Sequence, residues 1–299
     1  MRGLLHWLAR WPLSWLHRLG AIVGWLTYAL SPSYRSRFVA NARQAGLAPA
    51  QSRPAIAAAG RMLFELAPLW GRAPGEPLPM PVTWHGVEHL AAAHARGRGV
   101  LLMTPHLGCF EILAQSYAER FAAGFGPITV LYRPARKPWL RPLVDTARLR
   151  PGLAVAPATL AGVRQMIRAL RRGETVGLLP DQVPPRGLGV WVPFFDRPAY
   201  TMTLAARLAQ QSGAVPLTAW GERLPGGAGY LVHVLPFEEA IAASALTPAE
   251  SAAAVNRAME RLIRDRPQQY LWGYHRYKAP VERAVASEAA SRDSAGPAS

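Results

Sequence analysis

The chain has one cysteine, Cys109, and two lysines, Lys137 and Lys278, among its 299 residues. A lone thiol excludes an intrachain disulfide and the disulfide-stapled class of small secreted domains, and it fits a reducing compartment. Acids are scarce too: 18 Asp and Glu against 34 Lys and Arg give a formal charge of +16, and only 17% of residues are charged while 50% are hydrophobic. Such a chain has too few charges to stay solvated and is long enough to bury a large core, which excludes disordered and collagenous classes. No G-x-S-x-G elbow, P-loop or G-x-G-x-x-G is present, which argues against a common serine hydrolase, a P-loop nucleotidase and a Rossmann dehydrogenase.

The positive charge is almost wholly guanidinium, whose planar fork binds phosphate and carboxylate, so an anionic partner is expected. The competing reading is a coding bias toward Arg and Ala. There is also no uncharged run of bilayer length. Leu19 to Leu30 is 12 residues, about 18 Å of helix against a hydrocarbon core of about 30 Å. Trp7, Trp11 and Trp15 repeat every fourth residue beside Leu4, Leu8 and Leu16, with Arg2, Arg10 and Arg18 at the borders, an interfacial signature. Residues 1–31 are therefore expected to form a membrane anchor lying in the interface or tilted through it. A signal peptide and a helix docked on the core are the alternatives.

Helices are expected over Ser36–Gly46, Pro49–Trp70 and Thr159–Arg172, the last with Leu160, Val163, Ile167 and Leu170 on one side. Arg72–Pro81, with four prolines, reads as a linker within a lead-in over 32–80. Strands are expected at Pro81–Trp84, Val100–Thr104, Ile128–Tyr132, Thr175–Leu179, Val215–Trp220 and Tyr230–Leu235. Their alternation with helices predicts an α/β domain over 81–278 with a mixed, largely parallel central sheet, followed by a disordered tail over 279–299. His85-Gly86-Val87-Glu88-His89 matches H-x-x-E-H, but Gly86 weakens the helix that must carry both histidines, so no metal site is expected there.

The sharper signal is Thr104-Pro105-His106-Leu107-Gly108-Cys109-Phe110-Glu111, directly after a strand. Five residues on one straight helix would leave His106 and Glu111 roughly 140° apart, so a shared site needs His106 in the turn and Glu111 in the following helix. Glu111 is then expected to accept from one imidazole nitrogen and leave the other to take a hydroxyl proton. Arg133 and Asp181-Gln182 also follow strands, and parallel strands would gather them with His106 in the crevice beyond the strand ends. Backbone amides near Gly108 are the expected oxyanion donors. Trp191, Phe194, Phe195 and Met202 are expected to line an apolar slot.

Taken in order, Gly97-Arg98-Gly99-Val100-Leu101-Leu102, the His106–Glu111 block, Tyr132-Arg133-Pro134, Leu179-Pro180-Asp181-Gln182, Val192-Pro193-Phe194-Phe195 with Thr201, and Pro267-Gln268-Gln269-Tyr270-Leu271-Trp272 resemble the bacterial lipid A late acyltransferases. The resemblance implies a glycerolipid-acyltransferase-like fold and an enzyme on the cytoplasmic face of the inner membrane. Such enzymes move a fatty acyl chain from acyl carrier protein to a hydroxyl of a phosphorylated glycolipid, the lipid A precursor, with no cofactor beyond the carrier thioester. It also implies that His106 is the general base and Glu111 its partner, and that Arg133, Asp181, Gln182 and Thr201 fall at substrate-binding or catalytic motif positions. The chain departs from the pattern at Cys109-Phe110, where many relatives have Asn-Trp, and at Asp196, where Gly is usual. Rival expectations are a related enzyme acylating another glycolipid, such as a phosphatidylinositol mannoside, and a non-catalytic basic protein that binds membranes or nucleic acid. No nucleic-acid motif supports the latter.

Overall fold

The computed structural model describes residues 2–132, 150–243 and 245–282. Five helices come first: α1 (Arg2–Ala9), α2 (Leu13–Leu30), α3 (Pro32–Gln44), the single turn α4 (Pro49–Ser52) and α5 (Pro54–Trp70). The chain then alternates through β1 (Val82–His85), α6 (Val87–Ala95), β2 (Val100–Met103), α7 (Phe110–Phe125), β3 (Ile128–Tyr132), β4 (Leu153–Pro157), α8 (Leu160–Arg171) and β5 (Thr175–Leu178). It continues with β6 (Gly189–Phe194), β7 (Arg197–Met202), α9 (Leu204–Ser212), β8 (Val215–Arg223), β9 (Tyr230–Pro236) and α10 (Pro248–Asp265).

Seven strands form one sheet in the order β1-β9-β8-β2-β5-β3-β4. From β8 to β4 all neighbours are parallel; β9 is antiparallel to β8 and parallel to β1. Every residue of β2 and β5 is buried, because helices cover both faces and a parallel strand there has no solvent side. This is the expected mixed, largely parallel α/β domain. The β6–β7 ribbon stands apart from the sheet and turns at Phe195 and Asp196, with φ of 47° and 61°. A two-residue hairpin turn with both residues left-handed favours Gly, Asn or Asp, which accounts for Asp at 196.

Val281 still accepts a hydrogen bond from the Arg186 amide; the rest of the expected tail, 283–299, lies outside the described residues. His85 ends β1 and His89 lies on α6, parted by Gly86 at φ 77°. Among the described residues no cluster of His, Cys, Asp and Glu has the makings of a metal site.

Among the described residues no helix is long and apolar enough to cross a membrane. Helix α2 instead packs along α5 through a glycine seam. A Cβ on Gly60 would overlap the Gly20 carbonyl, and one on Gly20 would sit 2.6 Å from the Arg61 Cα. Gly60→Ala is therefore expected to cost about 1–3 kcal/mol, read from the denaturation midpoint. Gly124→Ala in α7, where a Cβ meets nothing within 4 Å, is expected to be neutral or slightly stabilising.

A buried charge cluster joins these helices to the sheet. Glu65 of α5, with no exposed surface, accepts from Arg223 Nη2 at 2.8 Å and lies 2.7 Å from His17 Nε2 of α2. Burial pushes its carboxyl up, but the charge and hydrogen bonds of Arg223, with those of His17, prevail and hold it at about 2. The same Arg223 Nη2 donates to the Gly108 carbonyl at 3.1 Å.

Candidate active site

Residues Met103 and Leu178 are register partners at the ends of the adjacent parallel strands β2 and β5. Each chain then runs three residues further, to His106 and to Asp181, so strand pairing alone brings an imidazole and a carboxylate to one place. His106 Nδ1 lies 2.7 Å from Asp181 Oδ1, and the His106 amide donates to Asp181 Oδ2 at 2.9 Å. Tyr270 donates its hydroxyl to the same Oδ2 at 3.3 Å. The Phe110 ring meets the imidazole edge-on at 4.7 Å between centroids and holds its plane.

Only 2% of Asp181 is exposed. Burial raises its carboxyl, but His106, through charge and two hydrogen bonds, and Arg276, through charge, bring the net value below the ordinary aspartate range. The carboxylate is therefore ionised and fixes the proton of a neutral imidazole on Nδ1. The other nitrogen, Nε2, lies 2.9 Å from Gln182 Nε2. His106, Asp181, Gln182 and Tyr270 line a cavity of about 370 Å³. Its other walls are Val23, Gly24 and Thr27 of α2, Ala59, Gly60, Met62 and Leu63 of α5, and the 271–274 segment with Tyr34. Apolar helix faces thus surround one basic nitrogen.

This differs from the sequence expectations in four ways. The carboxylate on the imidazole is Asp181, not Glu111. Glu111 sits in the first turn of α7 and accepts from Trp70 Nε1 at 3.3 Å, because the helix start directs its side chain toward the end of α5. Thr201 is buried in a separate network, accepting from Arg276 Nη2 at 2.7 Å and from Asn256 Nδ2 at 3.0 Å, and does not line the cavity.

The aromatic slot is not the cavity wall either: Phe194 and Phe195 are core, Trp191 is 52% exposed, and Asn256 Nδ2 of α10 ties the ribbon down through the Pro193 carbonyl at 2.7 Å. Finally, the amides of Gly108 and Cys109 already donate to the Gln269 and Gly221 carbonyls, so they are committed to the backbone and are not free oxyanion donors. Arg133 lies outside the described residues. Tyr270 and Arg276 went unassigned as site residues; the Pro267–Trp272 motif was the available signal for the first, while nothing local marks a buried guanidinium.

The chain matches the family model for bacterial lipid A biosynthesis acyltransferase over residues 2–279. It is 33% identical over 199 residues to the lipid A biosynthesis lauroyltransferase of Escherichia coli strain K12, covering 66% of this chain and 62% of that protein. It is 27% identical over 194 residues to the palmitoleoyltransferase of the same organism, covering 64% and 60%, and 28% identical over 189 residues to a lipid A biosynthesis acyltransferase of Haemophilus influenzae, covering 62% and 56%. The aligned region thus spans about three fifths of those relatives' length. With a match that runs through the helical lead-in, the sheet and the His106 cavity alike, the chain belongs to the bacterial lipid A biosynthesis acyltransferase family.

Proposed function

We propose that this protein is an acyltransferase that moves a fatty acyl chain from the thioester of acyl carrier protein to a hydroxyl of a lipid A precursor. The observation that carries the reading is His106, oriented by Asp181 at Nδ1, with Nε2 facing an apolar cavity. The acceptor hydroxyl gives its proton to Nε2 as its oxygen attacks the thioester carbonyl. The tetrahedral intermediate then expels the thiolate, which takes the proton back from Nε2. Asp181 stabilises the transient imidazolium, and the activated thioester leaves positioning and base catalysis as the remaining task.

The basic surface suits an acidic carrier and a phosphorylated acceptor. Trp7, Trp15, Ile22, Leu26 and Leu30 stand exposed on α1 and α2, and Arg18 lies over the Trp15 ring. This supports an enzyme docked in the plane of the inner membrane on its cytoplasmic side, with α2 forming both the docking face and a cavity wall. The test supplies the purified protein with labelled acyl carrier protein and either the lipid A precursor or a phosphatidylinositol mannoside. Label is expected in the lipid A precursor; label only in the mannoside moves the enzyme to another glycolipid, and label in neither removes the reading.

A further inference from the structure

Every hydrogen-bonding position of His106 is occupied. Asp181, ionised and buried, holds Nδ1–H, so the neutral ring offers only a lone pair at Nε2, and a lone pair is satisfied by a donor. Gln182 supplies one: its Nε2 lies 2.9 Å from the ring nitrogen, whereas an amide oxygen there would place two acceptors face to face. Gln182 is the residue after Asp181, so a single turn of chain grips both sides of the same imidazole. The acceptor hydroxyl must donate to that lone pair, in the cavity that Gln182 itself lines.

We propose that Gln182 is a displaceable cap on the base: it blocks Nε2 in the unloaded enzyme and yields to the acceptor hydroxyl, which keeps water from being activated against the thioester. The inference rests on His106 being the base of the acyl transfer. The side reaction has the same balance as the transfer. Water loses a proton to Nε2 as its oxygen attacks the carbonyl, the thiolate leaves and takes the proton from Nε2, and the products are free fatty acid and thiol. A small, abundant nucleophile enters any site that admits a lipid hydroxyl, so selectivity needs a device that responds to the acceptor. An amide held by one hydrogen bond is weak enough to be replaced by an anchored substrate, and its exchange for an equivalent bond costs little. A mobile water competes poorly with a tethered neighbour. In this role Gln182 is a positioning residue: it acts through the imidazole and not on the carbonyl.

The test uses the full chain and four proteins: wild type, Gln182→Ala, His106→Ala and the double variant of Gln182→Ala with His106→Ala. Thiol release from acyl carrier protein is measured without acceptor, and acyl transfer with it. Gln182→Ala is expected to raise acceptor-free thiol release about tenfold, and the double variant is expected to lose both thiol release and acyl transfer. A tenfold factor corresponds to about 1.4 kcal/mol, the net scale of one hydrogen bond. Unchanged thiol release in a folded Gln182→Ala overturns the cap; loss of both activities assigns Gln182 to the substrate instead. The nitrogen-15 spectrum of the His106 ring needs no substrate: Nδ1–H with a hydrogen-bonded, unprotonated Nε2 is expected in the wild type, and a neutral ring protonated at Nε2 overturns the proposal. Transfer that survives His106→Ala alone would show that the base is misassigned, which is a separate failure.

Discussion

Replacing His106 by Ala is expected to lower the rate of acyl transfer about 10²–10⁴-fold, the usual worth of a positioned general base, and Asp181→Asn is expected to come close to it. The second expectation follows from how the carboxylate is used. Oδ2 receives two donors, the His106 amide at 2.9 Å and the Tyr270 hydroxyl at 3.3 Å, while Oδ1 receives the ring at 2.7 Å. An asparagine has one oxygen, and the doubly bonded position claims it. Its NH₂ then faces Nδ1, which must become the lone pair, so the proton moves to Nε2 and the base disappears without any change in shape. Rates at saturating substrate check the loss, and nitrogen-15 spectra check its cause. The tautomer is expected to invert in Asp181→Asn and to stay unchanged in Glu111→Gln, because Glu111 accepts from Trp70 and not from the ring. An Asp181→Asn protein with wild-type turnover would refute the arrangement.

The largest effect on stability is expected at Glu65. Its removal leaves Arg223, 6% exposed, as a buried charge without its carboxylate, and breaking such a pair costs about 3–5 kcal/mol. Glu65→Ala is therefore expected to lower the denaturation midpoint far more than Glu250→Ala in the exposed cap of α10. Leucine at both Glu65 and Arg223 is expected to lose less than the sum of the two single changes, since neither charge is then stranded.

The pH dependence has a definite sign. A carboxyl held at about 2 in the fold, against 4.5 ordinarily, contributes fully above pH 4.5, and its contribution fades as pH falls toward 2. Over that window the wild type is expected to lose roughly 3 kcal/mol from this group, and the gap to Glu65→Ala is expected to narrow. A gap that stays constant from pH 6 to pH 3 would overturn this account. Because Arg223 also holds the Gly108 carbonyl, two residues beyond His106, Glu65→Ala is expected to slow transfer at temperatures where it remains folded.

Much of this was legible in the sequence, and what was not has identifiable causes. Apolar runs announced β2 and β5 because buried parallel strands need continuous hydrophobic stretches, and β3, β8 and β9 were announced by their Val, Ile, Leu and aromatic residues. The one-sided Leu160, Val163, Ile167 and Leu170 likewise predicted α8, a helix that is present and capped by Thr159. Strand β4, Leu-Ala-Val-Ala-Pro, escaped because alanine carries little strand preference. The β6–β7 ribbon escaped because Pro193 and Pro198 argue against a strand; they sit opposite each other, in a two-stranded unit where a missing donor disrupts no larger ladder. Helix α10 went unassigned although Thr247 and Glu250 form a capping box that the spacing T-x-x-E advertises.

At the site, His106 and Asp181 were each placed at a strand end, but their pairing depends on β5 lying beside β2, with β3 displaced to the far side of β5. Local spacing favoured Glu111, five residues away, over a carboxylate 75 residues away. The cavity wall was less legible still, since nothing in the first 31 residues signals that Gly20 and Gly24 meet Gly60.

That wall has a consequence for the newborn protein. The cavity draws on residues 23–34, 59–63, 106, 181–182 and 270–274, so the helices that wall it are made before the strand ends and the 270–274 segment that complete it. A chain still emerging from the ribosome has the imidazole but no enclosure and no Tyr270 on its aspartate. The enclosure thus closes only when the 270–274 segment docks, and a product truncated before it would carry His106 and Asp181 without a finished cavity around them.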